Sequence, residues 1–260
     1  MSNSNAEVRV LLWNDPVARM LAELLAESEV VSSKATDAAS AMSGLLRGDA
    51  SVSLLPSHLI LSNPSLLDVL PAVAVSSVQN PFSTLTVPRL GERRSADVWV
   101  PPEMELHGLV AEIVLKEQYG CALRRIDAPG PTLPPGMMVE QADAAETTGL
   151  ELDLGLEWYE LVNYPMVWAL FATRKGEGTP ELVRNVRDSV LQAEAGRGDW
   201  IARCRLEGNE RVFYGESVRY RLDDVAFASL GELSAYLFYY GKTPEIPQPV
   251  PISYDDSEED

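Results

Sequence analysis

The sequence predicts an α/β protein with mostly parallel sheets. Apolar, β-branched runs alternate with amphipathic helical segments along most of the chain. The 260 residues allow one large domain or two small lobes. No internal repeat of fixed period, the mark of a solenoid, interrupts the alternation.

The elements follow in order. Val8 to Trp13 is an apolar run read as a first buried strand. Asn14-Asp15-Pro16 comes next: Asn or Asp can cap a helix, and Pro suits its first turn. Residues 17–26 have helical spacing, with Val17, Met20, Leu21, Leu24 and Leu25 on one side. A second short strand is read at 30–33. Residues 37–47 form a helix with Met42, Leu45 and Leu46 inward, closed by Gly48. Residues 52–55 give a strand stopped by Pro56, and 66–75 lead into another. In the middle block, 85–88 is extended, 97–100 is a strand ended by Pro101-Pro102, and 109–119 is a helix ended by Gly120. Pro129-Gly130-Pro131 and Pro134-Pro135-Gly136 punctuate a long loop. Residues 166–173 are apolar and aromatic, the pattern of a buried strand. Thr179-Pro180-Glu181 opens a helix to about 194, 222–240 is helical in pattern, and 244–251 is an extended Pro-rich end.

Composition narrows the function. There are 21 basic and 39 acidic residues, a formal net charge of −18. Such a surface repels phosphate backbones, so nucleic acid is not an expected partner. No run approaches the ~20 apolar residues of a membrane span, so no membrane role is expected. The first seven residues lack a basic segment followed by an apolar one, so a secretion signal is not read there and a cytoplasmic location is expected. Lysine occurs only at 34, 116, 175 and 242, against many Asp and Glu, which suggests a salt-loving source whose self-repulsion is screened. Cys121 and Cys204 form no C-x-x-C and read as small buried apolar residues. With only His58 and His107 beside them, no zinc site is expected. The acidic end, residues 252–260, is expected to be disordered and without a catalytic role.

Several blocks then line up in order. Asp153-Leu154-Gly155-Leu156-Glu157-Trp158, followed by Pro165-Met166-Val167-Trp168-Ala169, resembles the D-L-G-x-x-W and P-x-V-x-A of the chorismate dehydratases of the futalosine route to menaquinone. Residues 45–57, ending Leu54-Leu55-Pro56-Ser57, resemble that family's L-x-x-G-x-x-D-x-G-L-I-P-S. Residues 74–83 resemble its I-A-x-x-G-P-V-x-S, with Ser83 at the place of the pocket serine. Asn14 falls at the asparagine of its Y-L-N, and residues 218–222 resemble its I-x-Y-x-L. The resemblance runs from about Val8 to Gly241.

It implies a periplasmic-binding-protein-like type II fold: two α/β lobes with an interlobe cleft. Lobe one would be 1–87 with 175–260 and lobe two 88–174. Residues 84–88 would be the outward crossing and 167–174 the return. The implied activity is a carbon-oxygen lyase making 3-enolpyruvyl benzoate from chorismate, with no metal and no organic cofactor. Asn14 and Ser83 would be the catalytic contacts, with Ser57, Asn80, Thr84 and His107 binding substrate. Two other readings stay open: a non-catalytic small-metabolite binding protein on the same fold, and the sister naphthoate synthase, for which His58 or His107 would have to supply a base.

The family's hydroxyl-rich T-S-S-x-T-S turn is replaced by Pro102-Glu103-Met104-Glu105-Leu106-His107. Glu103 and Glu105 would repel a substrate carboxylate. His107 could donate to one, although such a turn ordinarily lies at the surface. Arg124 and Arg125 are a possible carboxylate clamp or a solvated pair. Ser83 lacks a G-x-S-x-G and any evident His/Asp partner, so acyl chemistry is not expected. Asn14 and Ser57 would serve as helix caps if not as contacts, and Trp13, Trp158 and Trp168 as core.

Overall fold

The computed structural model describes residues 8–28, 30–87, 94–127, 137–140, 150–249 and 251–252, with backbone alone at 137–140 and 150. The loop read at 129–136 and the acidic residues 253–260 lie outside the described residues.

In chain order the first elements are β1 (Val8–Trp13), α1 (Arg19–Leu25), β2 (Val31–Thr36), α2 (Ala38–Arg47), β3 (Val52–Pro56), α3 (Ser57–Leu61) and β4 (Leu67–Ser77). The middle of the chain forms β5 (Thr84–Val87), β6 (Ser95–Trp99), α4 (Glu105–Glu117), β7 (Ala122–Ile126), β8 (Met137–Glu140), β9 (Leu150–Asp153) and α5 (Leu154–Val162). Then come β10 (Met166–Arg174), α6 (Pro180–Ala195), α7 (Arg197–Cys204), α8 (Gly208–Val212), a π turn over Phe213–Ser217 and α9 (Asp224–Tyr239).

These elements divide into two compact units, residues 1–76 with 167–260 and residues 77–166. The boundaries precede the expected 87/88 and 174/175. β5 takes its hydrogen bonds from β8 and β9 and so belongs to the second unit. β10 pairs with β3 and so belongs to the first.

The first unit holds a sheet in the order β2-β1-β3-β10-β4. Each residue of β3 is buried, and in β10 only Arg174 is not fully so. Central strands covered on both faces read as continuous apolar runs, which is why both were legible. Asp37 caps α2 by accepting from Ser40 N–H at 2.8 Å, and Gly48, with φ of 83°, ends it. Asp15, not Asn14, caps the 3-10 turn Pro16–Ala18, accepting from Val17 N–H at 2.9 Å. The cap expected of Ser57 is also absent: Ser57 is the first residue of α3 and Pro56 precedes it.

The second unit holds a sheet in the order β7-β6-β8-β5-β9. β5 and β8 are parallel, as are β6 and β7; β9 runs antiparallel to β5, and β8 to β6. β10 likewise runs antiparallel to β3, beside the parallel pairs β1–β2 and β1–β3. The sheets are therefore mixed rather than mostly parallel. In the first unit α1 and α2 return β2 and β3 in the direction of β1, and in the second α4 returns β7 in the direction of β6, while β10 comes in against β3 and β9 against β5.

α4 is buried over most of its circumference: Leu106, Leu109, Val110, Ala111, Ile113, Val114 and Leu115 are core. A helix apolar all round belongs in an interior. Trp13, Trp158 and Trp168 are buried, as expected. Cys121 is buried, but Cys204 is partly exposed at the end of α7, with its Sγ 4.0 Å from Glu23 Oε2.

Candidate functional site

The segment from 78 to 83 joins β4 to β5, and the D-L-G-x-x-W block holds it. Asp153, ending β9, caps α5: its Oδ1 accepts from Gly155 N–H at 2.9 Å and Leu156 N–H at 3.1 Å. The same carboxylate accepts Asn80 N–H on both oxygens at 2.9 Å. Leu154 N–H then donates to Ser83 O at 2.9 Å, and Ser83 N–H donates to Asn80 O at 2.9 Å. Gly155 permits a close approach: a Cβ there would lie 3.0 Å from Val78 O and 3.2 Å from Asn80 N, tighter than an ordinary contact. Both obstacles are backbone, so neither yields as a side-chain tip would. Trp158 anchors the helix in the core. The motif is thus the clamp on the loop that carries Asn80 and Ser83.

On this loop Ser83 is 0% exposed and Asn80 is 0% exposed. Asn80 Oδ1 accepts from Phe82 N–H at 3.1 Å, while its Nδ2 has no hydrogen-bond partner among the described residues. A buried amide donor left unpaired costs about 1–3 kcal/mol, so it marks a place where a ligand oxygen would be welcome. Thr84 opens β5 opposite Asp153 and is buried.

His107 comes from the first turn of α4, with its Nδ1 2.7 Å from Ser83 Oγ. At 1% exposed, it is not the surface residue its turn suggested, and Ser83 has the partner that the sequence did not reveal. The apolar residues around His107 carry it inward. Which of the two donates depends on the ring nitrogen that holds the proton.

The replaced turn also differs from its expected electrostatics. Glu105 Oε2 takes Arg125 Nη1 at 2.5 Å, and Arg124 Nε reaches Asp97 Oδ1 at 2.6 Å. Glu105 therefore faces a guanidinium rather than standing as a bare repelling charge. Arg125 is thus paired with Glu105 rather than simply solvated. Glu103 is exposed.

Behind the loop lies a group of perturbed carboxyls. Burial lifts Asp153 above the usual aspartate range, against the N–H bonds from Asn80, Leu156 and Gly155; Glu151 adds to the lift. Burial also raises Glu157, which the Tyr119 hydroxyl only partly offsets while Glu160 and Asp153 add to it. Tyr119 donates to Glu157 Oε2 at 2.8 Å, and its own ionisation is pushed up by burial and by that carboxylate. Among the described residues no group of three or more His, Cys, Asp or Glu is arranged to hold a metal ion.

In the first unit, Asn14 follows β1 with its side chain exposed and its N–H donating to Thr36 O at 2.7 Å. Ser57 follows β3, 0% exposed, with no partner for Oγ among the described residues. His58 is half-buried on α3. Ser83, Asn80, Thr84 and His107 are thus brought together in the second unit, and Asn14 and Ser57 stand at strand ends of the first. Asp153 and Gly155, which hold the loop, were quoted for the family pattern yet not placed in the site. Their spacing, an N-cap followed at two by glycine, was the available signal.

A sheet flanked by helices in each unit, with polar loops after the strands, is the architecture of periplasmic-binding-protein-like folds. Solved structures agree. The periplasmic aliphatic sulphonate binding protein SsuA of Escherichia coli is similar at 11% identity over 98% of this chain and 96% of that one, with a TM-score of 0.56. A Candida albicans protein with the generic periplasmic binding protein fold is similar at 12% identity, 97% and 99% coverage and a TM-score of 0.55. Protein AF1704 of Archaeoglobus fulgidus is similar at 15% identity, covering 93% of this chain and all of that one, with a TM-score of 0.62. No curated protein matches the chain in sequence. A family model described as menaquinone biosynthesis matches residues 20–239, and the chain belongs to that family.

Proposed function

We propose that the protein is a chorismate dehydratase-like hydro-lyase, acting in the cytoplasm on the futalosine route to menaquinone. The observation that carries this is the buried Ser83–His107 pair, on a loop clamped by the D-L-G-x-x-W motif, in a chain of the menaquinone family.

Chorismate dehydration removes the ring hydroxyl and a neighbouring proton and leaves an aromatic ring bearing an enolpyruvyl ether. Aromatisation supplies much of the driving force. The protein's part is to orient the substrate, to exclude water and to assist the departing oxygen. Buried hydroxyl and amide groups on a fixed loop suit that work. Ser83 would touch the reacting ring, with Asn80 and Thr84 beside it; Asn14 and Ser57 are further proposed contacts.

The test is incubation with chorismate at low and molar salt, with chromatography for 3-enolpyruvyl benzoate. Ser83→Ala should then lower kcat ~100–1000-fold, the usual loss for one positioned hydrogen bond at developing charge. No product from the wild type at either salt overturns the reading. A second reading, a non-catalytic binder of a small carboxylate, is favoured by the unpaired buried Asn80 Nδ2 and by the SsuA-like fold. It predicts saturable chorismate binding without product.

A further inference from the structure

We propose that the outward face of α9 is a self-association surface, which packs antiparallel on the α9 of a second copy of this chain.

α9 is capped by Asp223, whose carboxylate accepts Ala226 N–H at 2.9 Å. Ala226, Leu230, Leu233 and Leu237 are buried, so one side of the helix faces the core. The opposite side of such a helix is ordinarily charged and polar. α6 meets that expectation: over its 16 residues it carries Glu181, Arg184, Arg187, Asp188 and Glu194. α9 has the same 16 residues, yet between Val225 and Tyr239 its one charged residue is Glu232. Val225, Phe238 and Tyr239 are 48%, 38% and 73% exposed. Phe238 and Tyr239 touch ring to ring, with centroids 5.6 Å apart. On the same side Gly231 is exposed, and Ala228 and Ala235 are partly so. An exposed apolar face with charge at its ends marks an interaction site.

Gly231 is a separate sign. Glycine inside a helix weakens it relative to alanine. Among the described residues nothing lies within 4 Å of a Cβ placed there, so packing within the chain does not call for glycine. A second backbone approaching from outside does.

The pattern of the face selects a second copy as its partner. Asp224, Ala228, Gly231, Ala235 and Phe238 follow one another at steps of three and four along one side. A two-fold axis midway between Gly231 and Ala235 pairs Gly231 with Ala235 of the second copy. It also sets Ala228 against that copy's Phe238, small against large. The same operation brings Asp224, exposed at the start of the helix, to Lys242, exposed just past its end. It lays the positive start of one helix dipole beside the negative end of the other. The contact is isologous, so it closes at two chains. One helix face covers less than the ~800 Å² per partner of a standard interface, so the dimer is weak and concentration-dependent. Glu232 stands beside the crossing in both copies, and each chain carries a net charge of −18, so salt strengthens the association.

The test is sedimentation equilibrium of the full chain over a wide concentration range, at low and at molar KCl. A reversible monomer–dimer equilibrium is expected, tighter at molar KCl. Tyr239→Glu puts a charge on a side chain already exposed in the single chain. It should weaken dimerisation at least ~10-fold and leave the unfolding midpoint of the dilute protein unchanged. Gly231→Ala should raise that midpoint while weakening the dimer, a pair of opposite signs that a glycine needed only inside the chain does not give. At ~0.15 M KCl, where charges within ~8 Å still interact, Lys242→Glu should weaken the dimer several-fold and the added change Asp224→Lys should restore it. A monomer at every concentration and both salts overturns the proposal. A dimer that Tyr239→Glu leaves intact overturns its placement on α9, and a double charge swap that fails to restore it overturns the antiparallel register.

Discussion

Asp153 receives the backbone N–H of Asn80 on both carboxylate oxygens at 2.9 Å while capping α5 through Gly155 and Leu156. One side chain thus joins a helix start to a loop 73 residues earlier in the chain. Asp153→Ala removes the cap, worth ~0.5–2 kcal/mol. It also strands the Asn80 N–H, at ~1–3 kcal/mol. The expected loss is about 2–4 kcal/mol, read from the urea midpoint, with Asp153→Asn in between. An unchanged midpoint in the Ala variant would show that the clamp contributes nothing.

Gly155→Ala sets two principles against each other. Helix propensity alone favours Ala by roughly 0.8–1 kcal/mol. The added methyl, however, meets Val78 O at 3.0 Å and Asn80 N at 3.2 Å. Overpacking against backbone typically costs about 1–3 kcal/mol. The variant should therefore be less stable and, on the proposed dehydratase reading, should have a raised KM for chorismate because the Asn80–Ser83 loop is displaced. A stabilised variant would refute the close approach.

Much of this was legible in the sequence where local physics decides the outcome. β1, β3 and β10 are apolar runs, and α2 carries its own cap and closing glycine. β7 was missed because its residues are mostly exposed and carry two arginines, so no period-2 apolar signal appears. The Ser83–His107 pair joins residues 24 apart through the packing of α4, which no local pattern encodes. The signal that existed was the helix itself. With Leu106, Val110, Ala111 and Val114 all apolar, a histidine among them is drawn inside. The charge of Glu105 was misjudged for the same reason, since Arg125 is 20 residues away in sequence.

Acid stability should depend on Asp68. Burial opposes its ionisation, but Gly176 N–H at 2.7 Å and Lys175 Nζ at 2.6 Å outweigh this and hold its carboxyl below the ordinary range. A lowered native value means that the stabilisation is fully present above the unfolded-state pKa of ~3.9 and is lost as pH falls through the native value. Asp68→Asn should lower the urea midpoint at neutral pH and converge with wild type as the pH falls through the lowered native value. Parallel curves over that range would rule out the linkage.

The acidic surface predicts a salt response. At −18, self-repulsion destabilises the folded state at low ionic strength, and screening relieves it. Raising KCl from low to molar levels should raise Tm by at least ~2–4 °C, about one kcal/mol for a chain of this size. A Tm that falls with KCl counts against a salt-adapted surface.

The ion pair of Glu105 and Arg125 replaces the simple like-charge argument for the altered turn. Both side chains are partly exposed, at 54% and 39%, so the pair contributes little to stability, under about 1 kcal/mol. Its effect on an anion bound near His107 should be larger, because Glu105 lies two residues before it on α4. Arg125→Ala removes the guanidinium that faces the carboxylate and should, on the proposed dehydratase reading, weaken chorismate binding several-fold at low salt. Glu105→Gln frees the guanidinium and should tighten it by a similar factor. Both effects should fade at molar KCl, where the Debye length falls to ~3 Å. The opposite signs are the decisive feature, because general destabilisation would weaken binding in both variants. If the two variants bind chorismate as the wild type does at low salt, the opening turn of α4 does not meet the substrate's charge.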